Sequence, residues 1–183
     1  MFIQTEDTPN PATLKFMPGR AIMERGTADF PTVLQAGTSP LAQRLFAVAG
    51  VERVFLGSDF VTVTKRSEAD WAVVKPLILA AIAEHLMAGA PVILEHTSDG
   101  AAEGENFEDE ITAQIKELLD TRVRPAVAQD GGDIVFHSYQ DGIVYLHMQG
   151  SCSGCPSSTA TLKMGIENML RHYVPEVMEV RPV

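Results

Sequence analysis

Ile143-Val144-Tyr145-Leu146-His147-Met148-Gln149-Gly150-Ser151-Cys152-Ser153-Gly154-Cys155-Pro156 carries the chain from a strand pattern into a helix pattern, through a loop that holds its only two cysteines. Pro156 suits the first position of a helix. Beyond it Leu162, Ile166, Met169, Leu170 and Tyr173 recur as one apolar stripe, which reads as core. Upstream, Gln140-Asp141-Gly142 is a strong hairpin signal joining a strand from Ile134 to Tyr139 to the one starting at Ile143. Before that hairpin, Asp130-Gly131-Gly132-Asp133 ends a helical region in which Ile111, Ile115, Leu118 and Leu119 share a face up to a break or kink near Pro125. Val177 to Val183 supplies a last strand. The order is α-β-β-α-β, an α+β domain over residues 107–183.

The Cys152/Cys155 loop is a metal or redox site in its spacing. Two thiols separated by two residues can face one soft metal centre. The helix that follows points its unpaired N–H groups and positive dipole end at them, which favours thiolate over thiol. A tetrahedral zinc or an iron–sulfur cluster takes four ligands, and the chain supplies two thiolates. A second copy could supply the rest.

Other chemistries fit these residues less well. A pair of buried structural cysteines has no need of Ser153 and Gly154, small residues that let backbone N–H groups approach sulfur closely. A disulfide oxidoreductase also places Cys-x-x-Cys at a helix start, but one helix and one strand are too little chain for the rest of a thioredoxin-like unit. Gly150-x-Cys152-x-Gly154 as a nucleophile elbow would need an acid and a histidine further on. His172, on the exit helix, is placed rather to meet C-terminal carbonyls. His147, on the strand leading to Cys152, could complete a mixed Cys/His zinc site, though a solvent-facing or core histidine is the simpler expectation. Asp130-Gly131-Gly132-Asp133 reads as a helix stop and turn, since a phosphate loop would want a following helix and a calcium loop more oxygen ligands.

The first half has its own pattern. Leu14 and Phe16 indicate a strand, and Ser39-Pro40 opens a helix as N-cap and first turn, with Leu41, Leu45 and Val48 inward. Val51 to Leu56 and Phe60 to Thr64 flank Gly57-Ser58-Asp59 as a hairpin. Asp70 caps a further helix in which Leu77, Ala81, Ile82 and His85 keep helical spacing, with Pro76 marking a kink or the true start. Val92-Ile93-Leu94 is expected to close the sheet. Between the halves, residues 95–106 are polar and rich in Gly, Ala and Glu. They read as a flexible acidic linker that spans roughly 17–20 Å on average. Two small domains result, residues 1–94 and 107–183.

Composition narrows the partners. Of 183 residues, 45% are hydrophobic, enough for real cores, and the net charge of −10 divides evenly between residues 1–106 and 107–183. Such an acidic chain is a poor match for nucleic acid. The apolar stretch at 72–94 is interrupted by Lys75, Pro76, Glu84, His85 and Pro91, so no membrane span is expected. The acidic opening Met1 to Asp7 has neither a secretory nor a transit-peptide pattern. The expected location is cytoplasmic, or the mitochondrial matrix for a processed chain.

Cys-x-x-Cys-Pro at Cys152–Pro156, together with Asp130-Gly131-Gly132-Asp133-Ile134, resembles the NifU C-terminal (Nfu) domain. Thr8-Pro9-Asn10-Pro11, Leu14-Lys15-Phe16, Pro18-Gly19, Ser39-Pro40-Leu41-Ala42 and Gly57-Ser58-Asp59-Phe60-Val61-Thr62-Val63-Thr64-Lys65 resemble the Nfu N-terminal domain. The resemblance covers nearly the whole chain apart from the linker. It implies a non-enzymatic iron–sulfur cluster scaffold or carrier. In that reading Cys152 and Cys155 of two subunits hold one bridging 4Fe-4S cluster, the loaded state is a homodimer, upstream assembly proteins supply the cluster, and apo iron–sulfur proteins receive it. A site meant for transfer should lie near the surface.

Overall fold

Two separate hydrophobic cores form in the computed structural model, which describes residues 2–94, 110–153 and 156–183. The chain divides into two compact units, Met1–His96 and Thr97–Val183. The linker read at residues 95–106 lies outside the described residues, as does Cys155.

In the first unit, Leu14, Phe16, Val54, Leu56, Val61 and Val63 alternate along strands and bury one side of a five-stranded antiparallel sheet. Its strands are β1 (Gln4–Asp7), β2 (Thr13–Met17), β3 (Ala28–Phe30), β4 (Val51–Leu56) and β5 (Val61–Lys65), in the order β1-β2-β5-β4-β3. The hairpin through Gly57-Ser58-Asp59 forms as read, closed by the Gly57 amide donating to the Phe60 carbonyl at 2.9 Å. Helix α1 (Pro40–Phe46) follows a 3-10 turn, Val33–Thr38, and helix α2 is Trp71–Met87. Both predicted caps are present: Ser39 Oγ accepts from the Ala42 amide at 3.0 Å and Asp70 from the Ala72 amide at 2.9 Å.

Three expectations change here. Val92-Ile93-Leu94 forms no strand, because the Ser39 hydroxyl donates to the Val92 carbonyl (2.6 Å) and the Leu94 amide donates to the Thr38 carbonyl (2.7 Å). Backbone groups used there are lost to a ladder, and the sheet edges are β1 and β3 instead. β1 is wholly polar and β3 is only three residues long, so neither carries an apolar alternation of the length a strand reading needs. Pro76 does not mark the start of α2, which begins at Trp71 and runs through it. Leu77 is 49% exposed, while Val74, Ile78, Ile82 and His85 face inward. That helix is apolar on nearly every side, so spacing alone cannot orient it. No helix among the described residues is long and apolar enough to cross a membrane.

The second unit follows the predicted α-β-β-α-β order. Helix α3 (Glu110–Leu118) passes through a π turn, Leu119–Val123, into α4 (Arg124–Gln129). Ile115, Leu119, Val123 and Val127 are all buried, at a strict spacing of four. A regular helix advances 3.6 residues per turn, so this row would rotate off the core, and the wider π turn brings it back. Pro125 has no N–H to donate, which adds to the irregularity. The kink expected at Pro125 is thus a π turn just before it. Strands β6 (Gly132–Gln140) and β7 (Ile143–Gly150) pair antiparallel around Asp141 and Gly142, whose φ values of 50° and 79° mark a primed hairpin turn. Helix α5 (Pro156–Tyr173) returns the chain so that β8 (Glu179–Pro182) lies parallel to β7. In the α5 stripe Ile166 and Leu170 are buried and Leu162 and Met169 partly so. Tyr173 is 41% exposed, with the Arg122 guanidinium 4.9 Å above its ring. The helices and the inner face of β6-β7-β8 enclose Ile134, Val144, Leu146, Met148 and Val180.

Candidate functional site

β7 ends at Gly150 and α5 begins at Pro156, so the cysteine loop occupies a strand-to-helix corner of the second unit. Because side chains alternate along β7, Leu146 and Met148 point into the core and His147 points out. The His147 Nδ1 hydrogen-bonds the Val183 carbonyl at 3.0 Å on that outer side. It is therefore not directed at the cysteine loop. His172 is exposed and packs edge-on against Tyr173 with ring centroids 5.0 Å apart. Neither histidine is directed at Cys152. Among the described residues no group of three or more His, Cys, Asp or Glu side chains is gathered to hold a metal ion.

Cys152 is in the core of the unit, only 6% exposed and packed in the same cluster as Met148 and Ile166. Burial pushes its thiol up to about 11; hydrogen bonding with Ser151 opposes this, and the carboxylates of Asp130 and Asp133 add to the rise. This corrects two expectations for the metal-free chain. The thiol is protonated at neutral pH rather than being held as thiolate, and it is sheathed rather than at the surface. A metal held by Cys152 would require this thiol to release its proton.

The sheath is the Asp130-Gly131-Gly132-Asp133 turn. Gly131 takes φ +79° and Gly150 φ +65°, left-handed positions that suit glycine at the two facing corners. Gly132 has a different reason to be glycine. It pairs with Gly150 in the β6–β7 register, and a Cβ there would lie 2.4 Å from Cys152 Sγ and 2.9 Å from the Gln149 carbonyl oxygen. Only a hydrogen fits between this backbone and the sulfur. The cysteine loop is tied to the same turn by the Ser151 amide, which donates to the Gly131 carbonyl at 3.2 Å, and by the Ser151 hydroxyl, which donates to the Asp130 carbonyl. Within the loop Ser153 Oγ donates to the Gly150 carbonyl at 2.9 Å, and on α5 Thr159 Oγ1 donates to the Cys152 carbonyl at 3.1 Å.

The turn read from sequence as a helix stop thus also builds the wall around Cys152. Its signal was the second glycine: a helix stop explains Gly131 alone, and two in succession ask for close approach as well. Next to it Asp133 is buried, held by Arg124 through two bonds of 2.9 Å and itself accepting from the Ile134 amide at 2.8 Å. Asp133 and then Asp120 keep the Arg124 guanidinium charged against partial burial.

Sequence comparison places these features among known proteins. The family described as "Scaffold protein Nfu/NifU N terminal" matches residues 3–89, and the "NifU-like domain" matches residues 115–181. The chain is 54% identical over 184 residues to a Homo sapiens protein named "NFU1 iron-sulfur cluster scaffold homolog, mitochondrial", covering 100% of this chain and 72% of the human one. It is also 54% identical to "NifU-like protein 4, mitochondrial" of Arabidopsis thaliana, covering 98% of this chain and 65% of that protein. A Drosophila willistoni relative with the same name as the human protein is 53% identical, the chain spanning 64% of its length.

Proposed function

The chain belongs to the Nfu/NifU family, and from that premise we propose that it is a scaffold and carrier for a 4Fe-4S cluster held between two copies through Cys152 and Cys155 of each. The carrying observation is the ligand count. One chain offers two thiols, separated by two residues, where a cluster takes four. The names of the relatives, iron–sulfur cluster scaffold among them, support the cargo.

The cluster is substrate rather than resident cofactor, and what the chain does is bind and exchange it. Each cysteine leaves its proton to solvent on binding, and each is later displaced by an incoming thiolate of the recipient, one at a time, with no change of oxidation state required of the protein. No turnover of a small substrate is part of this reading. Residues 1–94 would modulate recipients or assembly, residues 95–106 would tether them, and residues 107–183 would hold the cluster. Partners are a second copy, upstream assembly proteins, and apo iron–sulfur proteins. The setting is the cytoplasm or the mitochondrial matrix, and the relatives' names favour the matrix.

Transfer is the property that tests this. Mixed with an apo iron–sulfur enzyme and a chelator that captures free iron, the loaded chain is expected to restore activity at nearly the rate seen without chelator. Activation that vanishes with chelator would mean that the chain merely leaks iron, and the carrier reading would fail.

A further inference from the structure

A cysteine that is to bridge two chains cannot stay 6% exposed beneath a glycine turn, so something sets how firmly the turn closes over it. We propose that the Arg124–Asp133 pair is that fastener: by fixing Gly132 against Cys152 Sγ, these two positioning residues control how readily Cys152 leaves its pocket. The proposal rests on the carrier reading for its purpose, and on the geometry alone for its mechanics.

Four contacts carry it. Gly132 has no side chain between its backbone and the sulfur, so any movement of this backbone opens or closes the pocket directly. The residue after it, Asp133, has a side chain 5% exposed and is gripped by both Nε and Nη2 of Arg124 at 2.9 Å. A planar guanidinium holding both carboxylate oxygens fixes direction as well as distance, which a single ammonium cannot do. Arg124 is in turn seated at the end of the π turn and braced by Asp120 at 3.1 Å, one turn back. The irregular turn that keeps Leu119 and Val123 in the core therefore also delivers the arginine to β6. Irregularities of this kind recur at functional positions in helices.

The cysteine loop is held on its other side by α5, where Thr159 Oγ1 donates to the Cys152 carbonyl at 3.1 Å, while Ser151 donates to the carbonyls of Gly131 and Asp130 in the turn, so loosening the fork lets the turn shift against a sulfur that stays anchored to α5. Local opening of this sort needs far less than global unfolding.

The experiment is pulsed alkylation of the full-length, metal-free chain with iodoacetamide, with modification at Cys152 followed by peptide mass spectrometry and global stability measured in parallel by urea titration. Arg124→Lys keeps the charge and removes the fork, and Asp133→Asn is the second variant, keeping the volume. Arg122→Lys, on the neighbouring arginine that covers Tyr173, is the control. Cys152 modification is expected to rise about tenfold in both fork variants, beyond what their change in global stability accounts for, and to stay at the wild-type rate in the control. An unchanged rate, or a rise that disappears once rates are normalised to the global unfolding constant, would overturn the proposal and leave the fork a general structural pair. Chelator-driven loss of cluster from reconstituted protein should quicken in the same two variants. If the wild type takes up no cluster at all, the carrier reading falls, while the alkylation rates still decide the role of the fork.

Discussion

Cys152→Ser is expected to abolish stable cluster retention, and Cys155→Ser to do the same. In a shared site each change removes two of four thiolates at once, because both chains carry it. A hydroxyl is too weakly acidic to replace a thiolate, so the remaining pair cannot hold the cluster through a desalting column. The metal-free Cys152→Ser protein should remain folded. Cys152 is 6% exposed and lies in the core, and exchanging sulfur for a smaller polar oxygen there costs about 1–3 kcal/mol, below the roughly 5–15 kcal/mol that holds a typical domain together. Visible absorption after anaerobic reconstitution, with circular dichroism as the control for folding, checks both halves of the expectation. A full cluster in either variant would reveal a ligand beyond the two cysteines.

How far such a site can be read from sequence differs from element to element. The hairpin at Asp141-Gly142, the caps at Ser39 and Asp70, and the strand-to-helix corner at Cys152 each rest on local chemistry that a few residues specify, and all appear where the sequence places them. What escaped depends on contacts distant in the chain. β1 and β3 are strands only because β2 and β4 offer them an edge. Leu77 and Tyr173 share the apolar character and spacing of their buried neighbours yet face out, since the helices alone do not say where the sheet lies. The site shows the same division. Two cysteines with small residues between them were legible as a ligand pair, while the protonated, sheathed state of Cys152 was not. It arises from a turn some twenty residues earlier, where Gly132 leaves room for the sulfur and Asp130 and Asp133 add negative charge.

The second large effect concerns division of labour between the halves. A fragment of residues 107–183 is expected to fold and to load a cluster to the same iron content per chain as the full protein, whereas residues 1–94 alone should fold and bind none. The two cores have no buried residue in common, and each unit has its own sheet. Both cysteines belong to the second unit. Deleting residues 1–94 should therefore alter the rate of transfer or the choice of recipient far more than cluster content. Thermal melts of both fragments and iron analysis of each decide this. A 107–183 fragment that folds but stays colourless after reconstitution would show that the first unit takes part in binding.

The shared-cluster claim itself is tested most directly by native mass spectrometry of the reconstituted full-length chain, with iron and sulfide quantified on the same sample. The account predicts a two-chain species carrying about four irons and four sulfides, and no cluster on the single-chain species. A single chain bearing the intact cluster, or a zinc ion bound in place of iron and sulfide, would contradict it.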